Sequence, residues 1–146
     1  MDKFLNHYRS INHFDVDNGA TFTLQAPGDI TYLMTVLDKH LSSPGIAHGG
    51  AIAGFMDCVL GLTALSLSFT DNNLVSTVEF KMNFIRPAKL GEKLIGTGKI
   101  DYKGKSLIIA SADIRTEKGD LVAKGLGTFN SYPLEKKGDV FGAVKA

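Results

Sequence analysis

Cysteine is almost missing from this chain: Cys58 is the only one among 146 residues. That excludes an internal disulfide and any Cys-rich metal site. His7, His13 and His40 stand at no spacing that would gather a metal ion. An excess of charge of one sign is missing too. Sixteen basic residues face fifteen acidic ones, a formal balance of +1, so a whole-surface attraction to nucleic acid or to an anionic membrane is not expected. The opening stretch MDKFLNHYRSINHF lacks the long apolar run of a secretory signal. With a single thiol, this makes a cytoplasmic location the expectation. No Gly-x-Ser-x-Gly elbow occurs, which argues against a serine hydrolase. No internal repeat or dividing linker is visible, and the length suits one domain over residues 1–146. Such a chain buries roughly 70% of its unfolded surface, enough to fold without a disulfide, metal or cofactor.

What is present reads as alternating elements. Phe4, Leu5, Tyr8 and Ile11 recur at near-helical spacing and predict one amphipathic helix over residues 2–13. Asp17-Asn18-Gly19 is a turn signal. Residues 20–26 and 30–37 read as two strands joined through Pro27-Gly28-Asp29. Residues 42–45 read as a loop. From Gly49 to Phe69 the chain is apolar with one charged residue, Asp57. Its length and its Leu, Ala and Met content favour a helix, one that must be covered on most sides. Val78, Phe80, Met82 and Phe84 then alternate with Thr77, Glu79, Lys81 and Asn83, the period of a strand. Residues 94–102, 107–116 and 121–130 continue as an antiparallel meander with short turns. From Pro133 the Lys- and Gly-rich tail is expected to fray. The expected class is therefore α+β, a long apolar helix with a curved antiparallel sheet wrapped around it. A membrane span would satisfy the length criterion. The internal carboxylate and the absence of closely flanking Lys or Arg argue against it.

Asp57 is the most informative residue. A carboxylate on a helix without a polar face is expected to be at least partly buried, and such a charge needs a partner or a task. His48-Gly49-Gly50 stands just before that helix. Free N–H groups at a helix start favour negative charge, and glycines let a ligand approach closely, so an oxyanion hole is one reading. A junction that merely needs glycine is the other. At 1.5 Å per residue, Gly49 and Asp57 lie roughly 12 Å apart along the axis. That is too far for both to grip one carbonyl, so a site using both needs helices from two subunits.

The stretch Gly45-Ile46-Ala47-His48-Gly49-Gly50-Ala51-Ile52-Ala53-Gly54-Phe55-Met56-Asp57 resembles the helix signature of the PaaI-type hotdog thioesterases, and Arg86-Pro87-Ala88-Lys89-Leu90-Gly91-Glu92 resembles their strand-loop signature. The resemblance implies a hotdog fold, hydrolysis of acyl-coenzyme A, and a homodimer or homotetramer with the active site at the dimer interface. It implies that Gly49 offers its N–H to the thioester carbonyl. Asp57 of the other subunit would act as nucleophile or as general base. It implies a water-positioning hydroxyl on the strand after the helix, where Thr77 stands, although Thr77 is equally an ordinary strand residue. His48 and Gly50 would shape the turn that receives the substrate. Where many relatives carry Asn, six residues before the His, this chain has Ser42, a shorter donor.

Two other activities compete. Hotdog hydratases or dehydratases usually pair a His with an acid in the site, whereas His48 here leads the helix. A non-catalytic acyl-CoA binder usually carries a DNA-binding segment, for which the first twenty residues are too few. Phe55, Met56, Val59 and Leu60 around Asp57 point to an uncharged acyl group, aromatic or medium-chain. Arg86, Lys89, Lys103 and Lys105 are candidates for the coenzyme A phosphates or a solvated rim. Cys58 reads as a core cysteine.

Overall fold

The computed structural model describes residues 1–136. Its centre is a twenty-residue helix that begins Gly49 and ends Ser68, α3 in a chain that opens with two shorter helices, α1 (Asp2–Ile11) and α2 (His13–Asn18). Six strands form one antiparallel sheet around α3: β1 (Thr21–Ala26), β2 (Asp29–Thr35), β5 (Asn73–Phe84), β6 (Lys93–Lys103), β7 (Leu107–Thr116) and β8 (Leu121–Pro133), in the order β1-β2-β6-β7-β8-β5. This is the wrapped helix expected from the pattern and the hotdog arrangement that the resemblance implies. A small ladder of β3 (Leu41–Ser43) and β4 (Ile46–Ala47) leads into α3.

The sheet closes on the helix because small residues let it. At Gly98 a β-carbon would overlap the Thr63 side chain, and at Gly125 it would lie 2.5 Å from the Met56 sulfur. Phe55, Met56, Val59, Leu60 and Leu62 are consequently fully buried, each contributing roughly 1.5–3 kcal/mol of transfer free energy. By length and composition α3 could cross a membrane, but most of it is covered by its own sheet.

Four expectations need correction. The N-terminal helix is two: it breaks at Asn12, whose side chain accepts the Asp15 N–H and caps α2. The loop at 42–45 narrows to a turn at Pro44-Gly45 between β3 and β4. The strand containing Thr77 begins at Asn73 and carries a bulge, with Thr77 paired to Phe129 and Glu79 to Thr128, so that Val78 is the extra residue. Strict alternation put Thr77 on the face of Glu79 and Lys81. The bulge reverses this and places Thr77 on the helix-facing side with Phe80 and Met82, leaving Val78 exposed at 58%. At the other end, β8 runs through Pro133 and Leu134 is buried, its N–H donating to the Asn72 carbonyl at 3.0 Å. The rest of the expected tail, 137–146, lies outside the described residues.

Candidate active site

The site begins with one side of α3 that the sheet does not cover. Gly54, Asp57, Cys58 and Gly61 are half-buried, and their spacing places them on a single helical face. The N-terminal helices run along one flank of that face. Phe4 stacks on Phe69 at 3.8 Å near the end of α3, and Phe14 lies over Gly54 near its start. The bulged strand β5 forms the other flank. Between them is a cavity of about 350 Å³ whose lining includes Tyr8, Phe14, Asp57, Cys58, Gly61 and Thr77. The Thr77 hydroxyl donates to Asp57 Oδ1 at 3.0 Å. That bond leaves Oδ2 available and fixes the carboxylate's orientation, which suits a group that must attack a carbonyl or take a proton from water.

Cys58 also faces this cavity. Burial and the nearby Asp15 carboxylate push its thiol well above the ordinary range. The thiolate that a nucleophile requires is disfavoured, in keeping with the core reading. Behind it lies a buried polar cluster that nothing in the sequence pattern announced. Tyr32 donates to Asp15 Oδ2, both side chains are buried, and desolvation raises the Asp15 carboxyl above its usual pKa. This pair pins α2 against β2 and so holds the flank carrying Phe14.

The glycines stand elsewhere. His48 is the N-cap of α3, and its Nδ1 accepts the Gly50 N–H at 2.7 Å. Its ring therefore braces the turn and does not line the Asp57 cavity of its own chain. The Gly49 N–H belongs to the first helical turn, where no intrahelical acceptor exists. Gly49 borders a separate cavity of about 330 Å³ with Phe84, Ile85 and Arg86. Within one chain the structure thus does not bring Gly49 and Asp57 together. Ser42 is exposed in β3 and borders neither cavity.

The turn before α3 is braced by residues that sequence reasoning passed over. The His48 N–H donates to the carbonyl of His40 at 2.6 Å, and His40 itself is buried. The second motif hooks onto the first: the Ala47 N–H donates to the Ala88 carbonyl at 2.9 Å, and the Leu90 N–H to that of Gly45 at 2.9 Å. Arg86 forks onto Glu92 through bonds of 3.1 and 2.9 Å, a pairing that holds the Glu92 carboxyl below its usual range. Lys103 pairs with Asp71. Both cations, candidates for phosphate contacts, are committed to neighbours within the chain. An acidic residue six positions after Arg86 was the available signal.

The sequence matches the thioesterase superfamily over residues 44–123, more than half the chain. It is 30% identical over 110 residues to acyl-coenzyme A thioesterase 13 of Homo sapiens, covering 74% of this chain and 76% of that protein. Among solved structures, the E. coli PaaI protein of the phenylacetic acid degradation operon superposes with a TM-score of 0.81 at 18% identity, covering 88% of this chain and 90% of that one. A hypothetical thioesterase protein from Streptococcus pneumoniae with coenzyme A gives a TM-score of 0.74 at 23% identity, covering 83% of this chain and 94% of that one. Fold and likeness agree, and the chain belongs to the thioesterase superfamily as a thioester hydrolase with the hotdog fold seen in PaaI.

Proposed function

We propose that this protein hydrolyses acyl-coenzyme A thioesters at a site shared by two copies of the chain. The observation that carries the reading is the Thr77–Asp57 hydrogen bond at the mouth of a cavity that Gly49 does not border. The human relative is named an acyl-coenzyme A thioesterase, and the Streptococcus pneumoniae structure contains coenzyme A, which supports that thiol as the leaving group. Asp57 acts as nucleophile or as general base on water, Thr77 orients it, and the Gly49 N–H of the other copy polarises the carbonyl. His48 and Gly50 hold the turn that presents this donor. Among the described residues no Lys or Arg lines the Asp57 cavity, which supports an uncharged acyl group.

Strand β5 supplies the symmetry. Among the described residues it is an edge strand, paired only with β8. Thr77 borders the Asp57 cavity, and the Phe84 ring lies 3.6 Å from where a Gly49 β-carbon would stand. Antiparallel pairing of β5 with its own copy, about a two-fold axis between Thr77 and Phe84, brings one copy's Asp57 opposite the other's Gly49. The active unit is then a homodimer, alone or as half of a tetramer.

Asp57→Asn is the direct test. The side chain keeps its size, but the amide can neither attack the carbonyl nor accept a proton. Thiol release should fall by roughly 10²–10⁴-fold in kcat, more if a covalent step is lost. Melting temperature should hold or rise, because a catalytic side chain is kept for activity at some cost in stability and the amide oxygen can still accept the Thr77 hydroxyl. A folded Asn variant with near wild-type turnover would remove Asp57 from the mechanism.

A further inference from the structure

We propose that the acyl group lies lengthwise along α3, in a channel running from Asp57 past Cys58 and Gly61 to Leu65, and that the enzyme selects straight, medium-length acyl chains with Gly61 setting the length limit. This rests on the hydrolase reading of Asp57 given above. The channel is the cavity of about 350 Å³ already described, and all four of those residues line it. They fall on one helical face, and from Asp57 to Leu65 the rise is roughly 12 Å. A slot of that length is longer than one aromatic ring. Tyr8 and Asn12 wall it on the side of α1, and Val75 and Phe129 on the side of the sheet. Its volume falls at the low end for a small-molecule site. A single extended chain fits that combination of length and volume better than a bulky or branched group.

Gly61 is what keeps the slot open. A glycine within a helix costs about 1 kcal/mol relative to alanine. Elsewhere on α3 the packing explains that cost. At Gly54 a β-carbon would lie 2.8 Å from the Phe14 ring. At Gly61 it would meet, among the described residues, only Phe129, at an ordinary 3.9 Å. Neither backbone conformation nor close packing demands glycine there. What a side chain at position 61 would take up is the space of the channel itself, midway between Asp57 and Leu65. Its place beside the carboxylate gives it an occupant: the part of the substrate that must leave water.

The full-length protein, Gly61→Ala and Gly61→Leu are assayed for thiol release from butanoyl-, octanoyl-, decanoyl- and phenylacetyl-CoA, with thermal melting on the same preparations. The wild type should turn over octanoyl- or decanoyl-CoA with the highest kcat/KM. The decanoyl-to-butanoyl ratio of kcat/KM should fall in the order Gly, Ala, Leu, by at least about tenfold for Gly61→Leu. Gly61→Ala should melt no lower than the wild type and carries the same test at smaller amplitude if the leucine variant does not fold. An unchanged ratio in a folded variant, or a fall in both substrates in equal proportion, overturns the channel. So does a wild-type preference for phenylacetyl-CoA over every straight chain. Release of no thiol from any substrate by the wild type overturns the hydrolase reading as well, which separates the two failures.

Discussion

Asp57 was legible as a candidate because a carboxylate on an apolar helix needs a partner or a task, and Thr77 because it stands on the strand that follows. Their contact was not legible, since the bulge at Val78 that turns Thr77 toward the helix leaves no mark in a period-two pattern. His40 is the clearest omission. As an isolated imidazole in a polar stretch it carries no signal, and its burial comes from α2, twenty residues away. The Leu37 N–H can only donate, and it points at His40 Nδ1 at 3.0 Å, so the ring proton sits on Nε2 and is donated to Asn18 Oδ1 at 2.9 Å. A second proton on Nδ1 would face the Leu37 N–H. Burial, aided by the Lys39 charge, lowers the pKa of His40 below its ordinary 6.5. The unfolded chain therefore takes up this proton first as pH falls, and stability drops from about pH 6.5 downward until the folded pKa is passed. His40→Gln removes that titration. Measured by denaturant unfolding, the wild-type advantage over His40→Gln should shrink between pH 7 and 5. The raised Asp15 carboxyl works the other way, losing stability as pH rises, and cancels in the comparison because both proteins carry it. A constant difference across the range would show that His40 does not titrate differently in the folded state.

At the scale of elements, periodicity carried most of the fold. The apolar run gave α3 to within a residue, and the meander β6-β7-β8 followed its turn residues. What periodicity missed were the places where one residue changes direction: Asn12 splitting the first helix, and Val78 widening β5. The bulge depends on β8, far along the chain, while the break rests on the local cap of Asn12 on the Asp15 N–H, which apolar spacing alone does not register. The start of α3 is an element boundary whose chemistry can be isolated. Gly49 is the first helical residue after the His48 cap, the position at which proline is tolerated because its missing N–H has no intrahelical partner. His48 has φ −62° and ψ 137°, an extended conformation that a following proline accepts. Its added carbons start 3.6 Å from the Phe84 ring, an ordinary contact. Gly49→Pro should thus fold with α3 intact yet lack the one donor assigned to the thioester carbonyl. Loss of an oxyanion donor lowers kcat by roughly 10²–10³-fold. Circular dichroism and thiol release on one sample check it, and a helical, fully active variant would move the oxyanion hole away from this N–H.

For the whole molecule, the question is whether one chain holds a complete site. In each chain Asp57 and Gly49 border different cavities, and under the proposed two-fold pairing along β5 each site would take one residue from each copy. Mixing two damaged proteins distinguishes that arrangement from a site within one chain. Asp57→Asn lacks the carboxylate chemistry and Gly49→Pro the donor, so each alone should be nearly inactive. In a heterodimer of the two, one site unites the intact Asp57 of the Gly49→Pro chain with the intact Gly49 of the Asp57→Asn chain, and the other site carries both lesions. With equal co-expression and random pairing, half the dimers are mixed and half of their sites are whole, which returns roughly a quarter of wild-type thiol release. If each site lay within one chain, every site in every dimer would carry one lesion, and the mixture would be no more active than its components. Recovery of activity on mixing, with a dimer or larger species by light scattering, is the expected result. A mixture as inactive as its parents, in a sample shown to contain heterodimers, would return both catalytic groups to a single chain.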